Sequence, residues 1–361
     1  MRHLAFLLVL VGVAALGSAC SNGGVTGLPG LHVAASPSGG LAPEPKSVRI
    51  REFADLPQYA GYYSPAAITT GPDGNLWATD TIDQDFGENA VVAIATSGAA
   101  VHTYYFQPYG TQGSDLLDIT AGPDGALWIT DEYNEQIVKM TTQGQFTIYP
   151  LSGYTAPWSI CVGADKALWF TATMLGGAGA IGRITTSGHI TLYSVTGRTS
   201  DITAGPDGAL WFTELQTGQI GRITTHGKVT LFSDGITSGP YSITAGPDGA
   251  VWFTEPAGGR IGRITTNGKV TEYSKGITPT EEPYDITSGP DGALWFTEYE
   301  EYGSSYQIHA SKIGRITTTG AISEYSRHLD PGSAPTTITT GPDKKLWFVE
   351  TFADRTGRLR P

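Results

Sequence analysis

The sequence is poor in cysteine and in basic residues. Its only cysteines are Cys20 and Cys161. Because Cys20 lies at a predicted processing site, Cys161 is left as the only other thiol, which excludes an intrachain disulfide. Lysine and arginine together number 22 against 34 acids, giving a net charge of −12. This excludes nucleic acid and anionic lipid surfaces as partners, since both need a basic patch. Cations, neutral sugars and peptides remain as ligands, although the acids also fit the simpler role of keeping an exported protein soluble.

The apolar run within the first 20 residues is too short to span a bilayer, and Arg2 and His3 precede it. This is the pattern of an export signal. The run ends in Leu16-Gly-Ser-Ala-Cys20, which resembles a bacterial lipobox, so Cys20 is predicted to be lipidated. Residues 21–47 are rich in Gly, Ser and Pro and predict a flexible tether. We therefore expect a lipoprotein anchored in the bacterial envelope or, without lipidation, a secreted protein.

Glycine, proline and aromatic residues are abundant, with 48 Gly, 22 Pro, 17 Tyr and 8 Trp. They indicate many short strands joined by tight turns. A motif ending in Gly-Pro-Asp-Gly-x-Leu-Trp recurs at intervals of 41 to 52 residues, which is typical of a β-propeller. Its anchors are Trp77, Trp128, Trp169, Trp211, Trp252, Trp295 and Trp347. The sequence thus predicts an all-β, seven-bladed β-propeller over residues 48–361.

Each repeat predicts a blade of four antiparallel strands. The last repeat ends after its third strand, and Val48–Phe53 resembles a fourth strand, so we expect the N-terminal strand to complete the last blade. Arginines recur in strand three and are predicted to pair between blades or to cover the outer rim. They are Arg183, Arg222, Arg263, Arg315 and Arg358.

The start of strand one and the end of strand two are expected at the same mouth of the channel. Constant index sums between antiparallel partners would place Tyr241 opposite Glu255 and Tyr284 opposite Glu298. Six blades end strand two in a carboxylate, which predicts an acidic ring at this mouth. Its members are Asp80, Asp131, Glu214, Glu255, Glu298 and Glu350.

The strand-one starts are aromatic in three blades, at Trp158, Tyr241 and Tyr284. We predict that Trp158 and Tyr241 bind a ligand together with Glu214 and Glu255. Converging carboxylates suit Mg²⁺ or Ca²⁺. Alternatively, the acids recur only because the repeat was duplicated, and each is simply solvated.

The repeat Ile-Thr-x-Gly-Pro-Asp-Gly-x-Leu-Trp-Phe-Thr-Glu, followed by Ile-Gly-Arg-Ile-Thr-Thr, resembles the virginiamycin B lyase (streptogramin lyase) family over residues 48–361. The resemblance implies a carbon–oxygen lyase that opens a cyclic depsipeptide without water. In that family a His removes the proton α to the ester carbonyl, while Mg²⁺ held through Glu residues stabilises the developing negative charge.

The resemblance assigns Mg²⁺ to Glu282 and Glu298, because the family pattern Glu-Pro-His reads Glu282-Pro-Tyr284 here. A second family His corresponds to Tyr241. Tyr284 and Tyr241 thus occupy the catalytic positions, but an unperturbed Tyr has a pKa of about 10 and is a poor base near neutral pH. His309, in the long insertion of the sixth blade, is a candidate for a displaced base.

Three functions follow from these observations. The first is a Mg²⁺-dependent lyase acting on an ester or depsipeptide. The second is a non-catalytic envelope lipoprotein that binds a carbohydrate, peptide or cation at the propeller mouth. The third is a structural or interaction platform without a central site. We expect a monomer with a small-molecule, peptide or sugar partner, and contact with a membrane only through the lipid anchor.

Overall fold

The computed structural model describes residues 48–53, 63–82, 89–106, 114–153, 155–302 and 307–361. These residues form 28 β-strands in seven four-stranded antiparallel sheets. The predicted all-β class and the seven-bladed propeller are confirmed. In this part of the chain the helical structure is one 3-10 turn, Pro256–Gly258. No helix there is long and apolar enough to cross a membrane.

Blades 1 to 6 each use four consecutive strands. The strands of blades 1 and 2 are β2 (Tyr63–Thr70), β3 (Leu76–Ile82), β4 (Asn89–Ile94), β5 (Ala100–Phe106), β6 (Leu116–Ala121), β7 (Leu127–Asp131), β8 (Gln136–Met140) and β9 (Phe146–Pro150). Those of blades 3 and 4 are β10 (Ala156–Val162), β11 (Leu168–Thr173), β12 (Gly179–Ile184), β13 (Ile190–Ser194), β14 (Thr199–Ala204), β15 (Leu210–Glu214), β16 (Gln219–Ile223) and β17 (Val229–Phe232).

The remaining blades follow the same order. Blades 5 and 6 contain β18 (Ile243–Ala245), β19 (Val251–Glu255), β20 (Arg260–Ile264), β21 (Val270–Tyr273), β22 (Glu282–Ser288), β23 (Leu294–Tyr302), β24 (Gln307–Ile316) and β25 (Ile322–Tyr325). Blade 7 contains β26 (Pro335–Thr340), β27 (Leu346–Glu350), β28 (Arg355–Arg360) and, as its outer strand, β1 (Arg49–Phe53).

The N-terminal strand closes the ring as predicted. β1 pairs antiparallel with β28, from Arg49 opposite Arg360 to Phe53 opposite Thr356. The Phe53 ring stacks on Trp347 with the ring centroids 5.5 Å apart. In each of the other six blades a Tyr or Phe of the fourth strand stacks on that blade's Trp in the same way. Phe53 therefore fills the fourth-strand position of blade 7.

The seven repeat tryptophans form the core between blades. Each is at most 1% exposed, and each packs against the following blade. Trp211 of blade 4, for example, lies in one cluster with Ile243 and Val251 of blade 5. Trp347 of blade 7 packs with Leu76 of blade 1, which continues the core around the ring. The strand-two register thus explains why the Trp recurs in every repeat.

The Pro-Asp-Gly turn is tied to strand three of its own blade. In blade 4, Asp207 accepts hydrogen bonds from Trp211 Nε1 at 3.0 Å and from Arg222 Nε at 2.6 Å. Arg183, Arg263 and Arg315 make the equivalent ion pair in their blades, so the first of their two predicted roles, pairing between blades, is wrong. Arg358 does reach across, donating to the Thr96 carbonyl of blade 1 at 2.6 Å.

A β-bulge in strand one sets the position of the channel-lining residues. In six blades the pairing of strands one and two shifts by one residue near the start of strand one. Glu298 consequently pairs with Pro283, not with Tyr284 as constant index sums predicted. The extra residue turns the strand so that consecutive side chains can face the channel.

Candidate functional site

The channel contains a cavity of about 550 Å³ lined by strand-one residues from all seven blades. Three aromatic side chains, Trp158, Tyr241 and Tyr284, share its wall with Leu117 and with several hydroxyl groups. Of the predicted ligand-binding residues, the structure therefore brings Trp158 and Tyr241 into one cavity, together with Tyr284.

Buried threonines of strand two hold the mouth residues in place. Thr213 Oγ1 donates to the Tyr241 carbonyl at 2.7 Å and accepts from the Asp201 backbone N–H at 2.9 Å. Thr254 repeats this one blade later, with Tyr284 O and Ser242 N as its partners. Each of these hydroxyls thus accepts from the start of strand one in its own blade and donates to the first strand of the next blade. The recurring Trp-Phe-Thr of the repeat carries this signal, which the sequence interpretation missed.

Tyr241 and Tyr284 form a phenol pair. Their hydroxyl oxygens lie 2.6 Å apart and their ring centroids 4.5 Å apart. The Tyr284 ring also contacts Tyr299, with centroids 5.2 Å apart. Burial, and next the neighbouring Tyr284, raise the pKa of Tyr241 well above its usual value near 10. A phenol with a raised pKa stays protonated at neutral pH, so Tyr241 is a hydrogen-bond donor and not a base.

Trp158 lies on the opposite part of the ring, in blade 3. Its carbonyl accepts from Thr130 Oγ1 at 2.6 Å, which anchors the backbone at the cavity wall. The Arg198 guanidinium lies over the indole, 5.3 Å from the ring centroid. The indole can therefore present its other surface to a ligand while a cation covers this one.

A belt of three aspartates, which the sequence interpretation did not identify, lines the cavity below the aromatic residues. Asp118, Asp201 and Asp285 alternate around the ring on blades 2, 4 and 6. Each accepts backbone N–H groups from its own strand and from the next blade; for Asp285 these are Ile286 N at 2.8 Å and Ile338 N at 2.7 Å. Burial, followed by the charge of Asp201, raises the pKa of Asp285 to about 7.

The strand-two acids do not surround the mouth. All six are 0% exposed, and none is among the described residues that line the cavity. Glu214 accepts from Gly197 N at 3.3 Å, and Glu255 accepts from Ser238 N at 2.9 Å; both donors lie in connections between blades. The predicted acidic ring is therefore replaced by buried carboxylates, of which Glu214 and Glu255 hold these connections, because the side chains of strand two alternate between the faces of the blade.

The two residues assigned to Mg²⁺ do not form a ligand pair in this structure. Glu282 is exposed, whereas Glu298 is buried. Glu281 and Glu324 provide carboxylate oxygens within 4.8 Å of one on Glu298. Lys312 Nζ neutralises that group, at 2.9 Å from Glu281 and 2.7 Å from Glu324. Burial, and next the charge of Glu324, raise the pKa of Glu298 well above its usual value. Since this arrangement does not fit the assigned ion, no step is derived through it.

Two further predicted site residues lie partly or wholly outside the described residues. His309 lies on the backbone of β24, but its side chain is outside the described part of the chain. Cys20 and the predicted signal and tether, residues 1–47, also lie outside the described residues.

Known proteins share this fold and this repeat. A model of the virginiamycin B lyase family matches residues 51–303 and 237–361, which together span almost the whole propeller. The chain belongs to the virginiamycin B lyase family. The predicted family relationship is thereby confirmed. Among curated proteins, none matches the chain.

Solved structures of virginiamycin B lyases are similar over 87% of this chain at 33% identity. One is a streptogramin B lyase, covered over 97% of its length with a TM-score of 0.71. Another is a selenomethionine-substituted virginiamycin B lyase from Staphylococcus aureus, covered over 99% with a TM-score of 0.72. A third, with the same coverage and score, is a catalytically inactive virginiamycin B lyase from that organism with quinupristin.

Proposed function

We propose that the central cavity binds a small organic ligand with hydrogen-bond acceptor oxygens, such as a peptide, an ester or a sugar. The observation that carries this proposal is the phenol pair, Tyr241 and Tyr284, in the wall of a 550 Å³ cavity that also contains Trp158. A volume of roughly 300–1,000 Å³ with aromatic walls and few polar groups is usual for ligand sites. The protonated Tyr241 suits a carbonyl, ether or hydroxyl oxygen.

Quinupristin is the first probe, because the structure of a related virginiamycin B lyase was solved with quinupristin. We expect it to quench tryptophan fluorescence saturably, and Trp158→Leu and Tyr284→Ala each to weaken binding at least tenfold. Ile148→Ala is the control, because Ile148 is exposed on the outer strand β9. Equal affinity in wild type, both cavity variants and the control would place binding elsewhere; saturable binding of neither quinupristin nor a panel of peptides and sugars would contradict the proposal.

A carbon–oxygen lyase acting on an ester or depsipeptide is the second candidate. Family membership supports it, and so does Asp285, which follows Tyr284 in the chain and lines the same cavity. With its pKa raised to about 7 by burial and by Asp201, Asp285 can take up a proton near neutral pH. Asp285 would then serve where the family uses a His.

Product analysis separates binding from catalysis. A lyase would convert quinupristin into a ring-opened isomer of unchanged mass, which chromatography and fragmentation distinguish from the cyclic form. Asp285→Asn should abolish this conversion while fluorescence quenching persists, and Glu298→Gln with Mg²⁺ or EDTA tests the metal dependence that the resemblance implies. Recovery of the intact ring under every metal condition would exclude the activity for this substrate.

We further propose that the protein is exported and anchored through a lipid on Cys20, as a monomer. The N-terminal sequence Arg2–Cys20 supports export and lipidation. Mass spectrometry of the mature N-terminus should find acylated Cys20, and Cys20→Ala should release the protein from the membrane fraction. An unprocessed N-terminus would contradict this assignment, and light scattering checks the mass of the released protein.

A further inference from the structure

A serine hydroxyl stands between two buried carboxyl groups in the wall of the central cavity. Ser242, which precedes β18 of blade 5, has its Oγ 2.9 Å from Asp201 Oδ2 of blade 4 and 2.6 Å from Asp285 Oδ1 of blade 6. Both distances are those of ordinary hydrogen bonds between a hydroxyl and an oxygen. The three side chains therefore form one chain of hydrogen bonds across neighbouring blades.

The serine has too few hydrogens to serve two carboxylates. A hydroxyl group carries one proton and two lone pairs, so Ser242 can donate only one of the two short bonds. The Ile286 backbone N–H, 3.4 Å from Ser242 Oγ, points its own hydrogen at the same oxygen and does not change this count. If both carboxyl groups were ionised, one pair of oxygens would face each other with no hydrogen between them, which is costly in a buried site. One of the two acids must therefore be protonated and donate to Ser242 Oγ.

Asp201 accepts from the larger number of donors. Its oxygens accept from Ser159 Oγ at 2.6 Å and from the backbone N–H groups of Ile202 and Ile243, each at 2.7 Å. Hydrogen bonds donated to a carboxylate favour its charged form. With the hydroxyl of Ser242 as a fourth donor, Asp201 is the better place for the negative charge.

Asp285 accepts from fewer donors. The backbone N–H groups of Ile286 and Ile338 donate to it. Thr337, which precedes β-strand residue Ile338 as Ser242 precedes Ile243, could add a hydroxyl donor, but its Oγ1 is buried and has no hydrogen-bond partner among the described residues. The described residues that line the cavity also include no Lys, Arg or His to compensate a second negative charge. Asp285 is therefore the better place for the proton.

We propose that, below neutral pH, Asp285 is protonated and donates its hydrogen to Ser242 Oγ, while Ser242 donates its own hydrogen to an ionised Asp201. Ser242 is then a positioning residue, because the direction of its single hydrogen decides which of the two acids keeps the proton. The two acids titrate as one coupled pair and not as independent groups.

The titratable groups that surround this pair are all acids. They are Asp118 of β6, the Cys161 thiol of β10 and the phenols of Tyr241 and Tyr284. Ionisation of any of them would add negative charge and hold the proton on Asp285 more firmly. Burial, and next the charge of Asp201, raise the pKa of Asp285 to about 7, which agrees with a proton held below neutral pH.

An NMR titration of isotope-labelled aspartate side chains tests the position of the proton without any ligand. The signal of Asp285, assigned by its loss in Asp285→Asn, should titrate near pH 7 and not near the ordinary value of about 3.9. Ser242→Ala removes the acceptor of the proton, so the midpoint of Asp285 should fall by about one pH unit, because a hydrogen bond made by the neutral form favours that form. The midpoint of Asp201 should rise, since its carboxylate loses a donor.

Ser242→Thr is the matched control. It keeps the hydroxyl, and blade 7 already carries a threonine at this position, so both midpoints should stay as in the wild type. The proposal is overturned if Asp285 titrates near 3.9 in the wild type, which is about the value of a free side chain. It is also overturned if the midpoint of Asp285 rises or is unchanged in Ser242→Ala, or if Ser242→Thr behaves like Ser242→Ala.

The consequence for catalysis rests on the proposed role of Asp285 as the base of a lyase. Asp285 must release its proton before it can take one from a substrate, so ring opening should increase as the pH rises through about 7. Ser242→Ala should shift this increase to lower pH. Absence of ring opening at every pH would exclude the lyase but not the proton on Asp285, whereas a contrary titration would exclude that proton whatever the activity.

Discussion

One backbone position in the turn between strands one and two shows how residue choice and conformation are linked. In blade 5 this position is Gly249, with φ of 74°, and in blade 3 it is Lys166, with φ of 58°. A residue with a Cβ is disfavoured in this left-handed region, whereas Gly adopts it freely. The third repeat, whose turn reads Gly-Ala-Asp-Lys, thus keeps the same backbone at an energetic cost.

Exchanging the two residue types should have opposite effects. Gly249→Ala should lower the free energy of unfolding by about 1 kcal/mol, because a Cβ there meets no atom within 4 Å and only the backbone is strained. Lys166→Gly should raise it by a smaller amount, since the added flexibility of the unfolded chain offsets part of the gain. Urea unfolding measures both, and a destabilised Lys166→Gly would refute this account.

The glycine-to-lysine change can be read from the sequence, but the roles of the mouth residues depend on atoms from two blades. Tyr241 and Tyr284 could be placed at the mouth by counting, yet their shared hydrogen bond depends on the angle between neighbouring blades. Asp80 could be counted among six acids, but Ala90 stands opposite it where other blades place Gln, Arg or Lys, and this difference shows only in the pairing of β3 with β4.

At the scale of the element, strand one of each blade lines the cavity, and its buried aspartates make the stability of the fold depend on pH. Asp118 accepts from Ile119 N and Ile160 N, both at 2.8 Å, and so joins blades 2 and 3. Burial raises its pKa to about 7 against the N–H groups, which lower it. The folded protein therefore holds a proton on Asp118 between about pH 4 and 7 that the unfolded chain has released. The resulting stability is fully present below about pH 4 and is lost as the pH rises through about 7.

Asp118→Asn should remove this dependence. The variant should be less stable than wild type at pH 4.5, and the difference in free energy of unfolding should narrow towards pH 8, as measured by urea titrations. Asp207→Asn is a control of opposite sign: burial alone would raise the pKa of Asp207, but hydrogen bonds from Trp211 and Arg222 outweigh it and lower the pKa. Its contribution is lost as the pH falls, so that difference should be largest at high pH. Parallel curves for the two variants would contradict the assignments.

Strand boundaries and turns were largely predictable at this scale, whereas the register at the channel was not. The Pro-Asp-Gly turns and β-branched runs identify the strands. The bulge between Pro283 and Ile286 shifts the pairing by one residue, and the local alternation of apolar and polar residues does not predict it. The recurring Thr after Trp-Phe, represented by Thr297, fits an ordinary strand position in the repeat, although its hydroxyl accepts from Asp285 N within the bulge.

For the whole molecule, the Trp spacing was sufficient to predict seven blades and the closure by residues 48–53. This worked because every repeat must bury its Trp against a neighbour, so the count of anchors equals the count of interfaces. The direction in which the buried acids point could not be predicted from the repeat. Whether these side chains face the channel or the neighbouring blade depends on how the blades pack.

Loss of the closing strand should affect the whole ring. Phe53→Ala removes the ring that stacks on Trp347 in the closing blade and should lower the free energy of unfolding by about 3 kcal/mol. Phe232→Ala removes the equivalent ring over Trp211, also at 5.5 Å, within a continuous blade. Both variants should be destabilised, but only Phe53→Ala should form concentration-dependent aggregates in light scattering, since a detached β1 exposes the edge of β28. Equal aggregation of the two would show that closure is not the vulnerable step.

The pairing of β1 with β28 should also allow circular permutation of the propeller. Arg360 lies opposite Arg49, so the end of one strand is next to the start of the other. A linker such as the Thr-Asn-Gly sequence between β20 and β21 would turn them into an ordinary hairpin. New termini could then be opened in the connection between β17 and β18, leaving every blade built from consecutive strands. The packing of the blades therefore does not require that the termini lie in blade 7.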